Sequence, residues 1–272
     1  MIEAKEVYYS FGRGTTQEVK ALRGVSLFIS PGEFLSIIGP NGSGKSTFTK
    51  HLNALLLPQE GEVRVCGLNT RETDPYLIRK MVGMVLQNPD NQTVASIVEE
   101  DVAFGPENLG LSSSEILSRV EEALRSVGLW EYRHYPSHLL SGGQKQKLAI
   151  ASVLAMEPAY LVLDEATSLL DTIGRAEVAE VIRFLNEKRG VTVIQITSSM
   201  EEALSSQRVA IMYEGRFVIT GSPEEVFISF EVLRKAHLEV PVIIDLSLRF
   251  KQLGILDKAC FKEEDLVRSL CS

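Results

Sequence analysis

The sequence predicts an α/β fold: a mainly parallel sheet with an antiparallel edge at each end, a helical middle, and a small helical appendage at the C-terminus. Three observations carry this. Short apolar runs at 34–38, 82–86, 160–163 and 191–196 alternate with stretches of helical periodicity, the arrangement of a parallel sheet covered by helices. The first of these runs leads directly into Gly39-Pro-Asn-Gly-Ser-Gly-Lys-Ser-Thr47, a glycine-rich loop that opens a helix. The third ends in two adjacent carboxylates, Asp164 and Glu165.

Taken in order, residues 7–11 and 25–29 have strand character and are bounded by the turns Gly12-Arg13-Gly14 and Pro31-Gly32. Residues 63–65 form a further strand. In the helical middle, Ser112 and Glu115 have capping-box spacing, and Ile116, Val120, Leu124 and Val127 share one helix face. A helix over 144–154 ends before Pro158, and Val178, Val181, Ile182 and Leu185 mark an amphipathic helix. Residues 209–213 and 217–219 flank Glu214-Gly215 and read as a hairpin. After about Phe230 the pattern changes: Val242, Ile243, Leu246, Phe250 and Leu253 recur at helical spacing, and 263–270 offers a second short helix.

Bulk properties narrow the function. The 272 residues are 44% apolar and 24% charged, ordinary values for a globular α/β chain with a sizeable core. A net charge of −8 argues against nucleic acid as the main partner, since phosphate neutralisation needs a basic face. Cys66, Cys260 and Cys271 are odd in number and widely spaced, and are expected as reduced thiols in a cytosolic setting. The start has no signal-peptide pattern, and the longest apolar stretch, 148–163, is broken by Glu157-Pro158, so any membrane role is expected to be peripheral.

The glycine-rich loop carries the chemistry. Gly39, Gly42 and Gly44 let the backbone turn its N–H groups inward, and the helix that follows points its positive end at the same place. Lys45 is placed to reach the β- and γ-phosphates of a nucleoside triphosphate, and the Ser46 hydroxyl to hold Mg²⁺. Asp164, at the end of a central strand, suits the Mg²⁺ shell, and Glu165 can polarise the attacking water. Leu140-Ser141-Gly142-Gly143-Gln144 precedes a helix, where Ser141 can cap and free amides can take an anion.

These motifs, in this order, resemble the ATP-binding cassette (ABC) ATPases over most of residues 1–227. The resemblance implies the ABC ATPase fold: a P-loop NTPase core sheet with an antiparallel β edge, over 1–230, with an inserted helical subdomain at about 93–153 and an appendage at 231–272. It implies ATP and Mg²⁺ as ligands, the phosphate loop being Gly39, Pro40, Asn41, Gly42, Ser43, Gly44, Lys45, Ser46 and Thr47. Gln87 matches the glutamine that senses metal and attacking water, Asp171 the aspartate at the ATPase–ATPase interface, and Phe11 the aromatic that stacks on adenine, with Tyr9 second. In this family two subunits sandwich two ATPs. Ser141, Gly142, Gly143 and Gln144 would therefore complete the site on a second chain, while Lys45, Ser46, Asp164 and Glu165 act on this chain's own ATP.

The stretches 87–92 and 98–110, and the appended tail, in which Val240-Pro241 precedes a helical run, are similar to the ATPases of energy-coupling factor (ECF) transporters, importers of vitamins and transition-metal ions. That likeness implies a second ATPase subunit, a transmembrane coupling subunit and a substrate-binding membrane subunit as partners, and a place on the cytoplasmic side of the cell membrane. Glu99, Glu100 and Asp101 are expected to face cationic helices of the coupling subunit. One position departs from the pattern. After the strand at 191–196 the family has a histidine, where this chain has Ser198 in Ile196-Thr-Ser-Ser-Met-Glu-Glu-Ala203. Serine is shorter and carries no positive charge, so a slow site, or a largely regulatory one, is expected.

Overall fold

The computed structural model describes residues 1–261 and 263–271. Ten strands form two sheets. The larger has the order β10-β9-β3-β8-β7-β6, where β3 is Phe34–Ile38, β6 Val82–Val85, β7 Tyr160–Asp164, β8 Thr192–Ile196, β9 Arg208–Tyr213 and β10 Arg216–Gly221. All neighbours run parallel except the β9–β10 hairpin. Strands β3, β6, β7 and β8 are buried at every position, which is why they read as unbroken apolar runs.

The smaller sheet is antiparallel, in the order β2-β1-β4-β5: β1 Ile2–Phe11, β2 Val19–Ile29, β4 Glu60–Val65 and β5 Leu68–Asn69. This corrects one expectation. The parallel sheet has a single antiparallel edge, at β10; its other edge, β6, pairs parallel with β7, and the N-terminal strands make a separate sheet. The reason lies in their patterning: along β2 buried and exposed positions alternate, as in a sheet with one wet face. The buried face (Ile2, Val7, Leu22, Val25, Ile29) packs with Phe48 and Leu52 of helix α1, Lys45–Leu52, onto Leu35, Ile37, Val162 and Ile194 of the larger sheet.

Helices cover what remains. After α2, Pro75–Met81, capped by Asp74, come α3, Val98–Asn108, α4, Ser113–Ser126, and α5, Gly142–Leu154. Val98, Val102, Val120, Leu124, Leu148 and Ile150 share a core with Val85, Leu161 and Leu163 and with Val178, Ile182 and Leu185 of α6, Thr172–Arg189. The Ser112–Glu115 capping box forms as the sequence suggests. Short helices α7, Met200–Ala203, and α8, Pro223–Phe227, follow, then α9, Phe230–Lys235, α10, Val242–Gln252, and α11, Glu263–Leu270. No helix among the described residues is long and apolar enough to cross a membrane.

The tail shares a core with the main sheet. Phe227, Leu233 and Ile244 pack against Ile38, Val209 and Ile211. On α10, Ile244 and Ser247 are the fully buried positions, whereas Val242 is 74% exposed and Leu253, just past the helix, 72%. An apolar strip of the tail is left uncovered.

Candidate nucleotide-hydrolysis site

Strand β3 delivers the phosphate loop to the C-terminal edge of the parallel sheet. Two glycines are required there by close approach. A Cβ on Gly39 would lie 2.1 Å from the Met212 carbonyl oxygen, and one on Gly44 (φ 108°) 2.6 Å from that of Ala21. Lys45 is buried, its Nζ donating to the carbonyl oxygens of Gly39 and Pro40 at 2.8 and 3.0 Å. Burial pulls its ammonium below the usual lysine range, against the opposing pull of Glu165 and Asp164. The buried Ser43 hydroxyl has no hydrogen-bond partner among the described residues.

Asp164 ends β7 and is 7% exposed; its Oδ1 accepts from Ser46 Oγ at 2.8 Å. Burial raises its carboxyl above the ordinary range, and Ser46, Lys50 and Lys45 only partly offset this. A buried carboxylate bonded to the first-turn Ser46 and incompletely compensated by its neighbours is a fitting place for Mg²⁺. Among the described residues no group of three His, Cys, Asp or Glu side chains forms a complete metal site, so a metal here would take the rest of its shell from phosphate and water, as Mg²⁺ does.

Glu165 follows with a left-handed backbone (φ 51°), its N–H donating to the Ile196 carbonyl at 3.0 Å. Such a conformation in a non-glycine residue is uncommon and concentrates at functional sites. Gln87, just past β6, donates from Nε2 to Glu165 Oε2 at 3.0 Å and to Ser168 Oγ at 3.2 Å. Ser198 is exposed just past β8 and lines a cavity of about 60 Å³ with Glu165, Thr167, Ser168, Arg175 and Glu202. The fold thus brings Lys45, Ser46, Gln87, Asp164, Glu165 and Ser198 to one edge of one sheet. Arg175 gave no signal in the sequence, and Glu202 only the Met200-Glu-Glu-Ala203 pattern around it.

The remaining candidates lie apart. Phe11 is 46% exposed, with the half-buried Tyr9 edge-on to it at 5.0 Å and to His51 of α1 at 4.9 Å; Tyr9 is thereby a packing residue and Phe11 the free ring. Ser141 caps α5, with a reciprocal bond from its own N–H to Gln144 Oε1 at 2.9 Å. The helix expected over 144–154 therefore starts two residues earlier, at Gly142. Among the described residues no hydrogen bond joins 141–144 to the phosphate loop; this end of α5 packs on the start of α6, where Gly143 faces Gly174. Asp171 caps α6 by accepting from Gly174 N at 2.8 Å. Of the three acids on α3, Asp101 is buried and accepts from Val94 N, Ala95 N and Ser152 Oγ. Glu99 pairs with His134, which leaves Glu100 as the acid turned outward. Asp101 therefore braces the fold and does not present charge to a partner.

A phosphate loop, a metal-holding aspartate and a glutamate at adjacent strand ends, with a capped Ser-Gly-Gly turn set apart, define a nucleotide-hydrolysing cassette. The family model described as ABC transporter matches residues 22–168. The energy-coupling factor transporter ATP-binding protein EcfA1 of Symbiobacterium thermophilum is 52% identical over 276 residues, covering 99% of this chain and 96% of the relative. That of Clostridium novyi is 48% identical over 273 residues, covering 100% and 98%. Among solved structures, cbiO1 from Clostridium perfringens, part of the ABC transporter complex cbiONQ, superposes with a TM-score of 0.78 at 35% identity over 93% of this chain and 96% of that one. The ATP-binding cassette MJ0796, a dimer bound to ADP and Pi, does so at 0.73 and 30% identity over 82% and 99%. The chain belongs to the ABC transporter family, as an ATP-hydrolysing member of its energy-coupling factor branch.

Proposed function

We propose that this chain is the energising subunit of an ECF-type importer of vitamins or transition-metal ions, bound peripherally at the cytoplasmic face of the cell membrane. The observation that carries the catalytic part is the pair of contacts Ser46–Asp164 and Gln87–Glu165 at one sheet edge beside Lys45. In this reading the loop amides and Lys45 hold the triphosphate, and Phe11 stacks on the base. Ser46, Asp164 and Gln87 would hold Mg²⁺. The metal, when bound, neutralises charge on the phosphates. Glu165 takes a proton from the attacking water, and Gln87 holds the Glu165 carboxylate in place.

The transport part rests on full-length likeness to ECF ATP-binding proteins, the tail included. In this reading residues 1–230 are the ATPase unit, 93–153 its helical subdomain, and 231–272 an appendage that pairs two ATPases through the uncovered strip on α10. Ser141 and Gly143 complete the ATP site of a second subunit, which supplies its own corresponding turn to this chain's ATP, with Asp171 at the interface. ATP binding closes the pair and hydrolysis opens it, because the shared ligand is lost. A groove of about 420 Å³ among Tyr76, Arg79, Met84, Phe104 and Met156 is where a helix of the coupling subunit docks. The decisive experiment is co-purification from membranes. A coupling subunit together with a small substrate-capturing membrane protein supports the reading, and a large paired permease overturns it.

Ser198 favours a refinement of this reading. Its hydroxyl stands at the cavity that Glu165 lines, where the family carries an imidazole, so this site turns over slowly and depends on a better-equipped second subunit.

A further inference from the structure

We propose that Glu202 is a positioning residue for hydrolysis: its carboxylate locks the turn carrying Ser198 to the loop carrying Glu165 and so sets the distance between them. The inference rests on the catalytic reading of Glu165 given above.

Glu202, on α7, accepts three side-chain hydrogen bonds. Gln195 Nε2 and Thr197 Oγ1 donate to Oε2 at 2.8 and 2.6 Å, and Thr167 Oγ1 donates to Oε1 at 2.7 Å. The three donor residues are 3–5% exposed. Gln195 and Thr197 belong to the end of β8, whereas Thr167 lies two residues beyond Glu165 on the β7 side. One carboxylate therefore spans the two strand ends. Of the two neighbours of Ser198, one is held by the carboxylate itself and the other through Thr197 and the Glu202 backbone. Thr197 bonds the carboxylate directly, and Ser199 N donates to Thr197 Oγ1 at 3.0 Å while Ser199 Oγ accepts from Glu202 N at 3.3 Å. Among the described residues no cation pairs with Glu202 in a salt bridge, so the group is spent on hydroxyl and amide donors alone.

The physical argument is one of satisfaction. An ionised carboxylate is acceptor-only and can take several donors at once, a role no apolar or hydroxyl side chain of that reach can fill. Removing it strands three nearly buried donors, and each is costly to leave unpaired in a dry site. They regain partners only by moving, which shifts the Ser198 turn relative to Glu165. The β7–β8 ladder, ending at Asp164 opposite Ile196, and the bond from Glu165 N to Ile196 O also tie the two strand ends, but they hold neither Thr167 nor the residues beyond Ile196. Among the described residues no hydrogen bond joins the phosphate loop, 39–47, to the Glu202 carboxylate or its three donors, the nearest tie being Thr197 N to Ile37 O at 3.3 Å, so nucleotide affinity should depend little on Glu202.

The test uses the full-length chain paired with its second ATPase subunit, whose own phosphate loop is inactivated so that turnover reports this site. Steady-state ATP hydrolysis and the melting temperature are measured for Glu202→Ala and Glu202→Gln. The Ala variant is expected to lose roughly 10–100-fold in kcat with KM for ATP nearly unchanged, because the defect is one of geometry at the reacting centre. The Gln variant is expected to recover most of that, since its amide can donate to Thr167 while its carbonyl oxygen accepts from Gln195 and Thr197. A folded Ala variant with wild-type kcat would overturn the inference, and so would a Gln variant as impaired as Ala, which would assign the effect to charge. Glu165→Gln, run beside them, tests the underlying reading separately: full turnover in that variant removes Glu165 from catalysis whatever Glu202 does.

Discussion

Gln87 and Glu165, 78 positions apart in the chain, meet at the ends of neighbouring strands, where the amide Nε2 of Gln87 donates to the carboxylate of Glu165 at 3.0 Å. The contact exists because β6 and β7 run parallel and in register, Val85 opposite Leu163, so that the residues just past each strand emerge side by side. Whatever moves the 87–92 segment is thereby connected mechanically to Glu165.

The first prediction concerns that carboxylate. Glu165→Gln keeps the shape and the left-handed backbone but removes the proton acceptor. Turnover should fall by roughly 10²–10⁴-fold, the usual loss for a positioned general base. ATP binding should survive, so the dimer should accumulate in its closed form and elute as a dimer on size exclusion with ATP. Undiminished phosphate release would remove Glu165 from the mechanism.

Ser198 offers the complementary gain-of-function test. Installing an imidazole in the cavity beside Glu165 should raise kcat by roughly tenfold or more, within the range that acid–base or charge-stabilising groups supply. Phosphate release by Ser198→His, measured in the paired subunits, checks this; an unchanged rate counts against a slow site.

Asp164 carries a desolvation cost that Ser46, Lys50 and Lys45 offset only in part. With its carboxyl raised above the ordinary value of 3.8, the folded chain holds that proton more tightly than the unfolded chain does. This group's contribution to stability therefore weakens as pH rises from 3.8 through the folded value. Asp164→Asn should thus stabilise the nucleotide-free protein at neutral pH and raise its melting temperature. The same change should abolish the extra stabilisation that Mg²⁺ adds to bound ATP. Calorimetry with and without Mg²⁺–ATP reads both effects, and a lower melting point in the free protein would contradict the first.

His51 sets an acid limit. Buried on α1, it is held below the ordinary imidazole value of 6.5 by desolvation, against the pull of the Thr47 and Leu57 carbonyls. The unfolded chain then binds the proton more readily, so stability contributed by neutral His51 is complete above pH 6.5 and is lost as pH falls toward the folded value. The slope from this one group cannot exceed about 1.4 kcal/mol per pH unit. Denaturant melts of the native chain and of His51→Gln between neutral pH and pH 5 should diverge, the variant showing the shallower dependence.

What the amino-acid order determined is the local machinery. The phosphate loop is legible because its constraints are local: glycines where a Cβ would strike Met212 or Ala21, a lysine and a serine at the first turn of α1, and a buried strand before it. Asp164-Glu165 is legible for the same reason, as a short apolar strand ending in acids, and the helix caps at Ser112 and Ser141 follow from three-residue spacing. Tertiary structure decided the rest. Strand order separated β1 and β2 into their own sheet, used Asp101 as an internal brace, and brought Thr167, Gln195 and Thr197 together around Glu202. Periodicity reports which face of an element is apolar, but not which distant element covers it. Partners separated by tens of residues are chosen by the packing of the whole sheet.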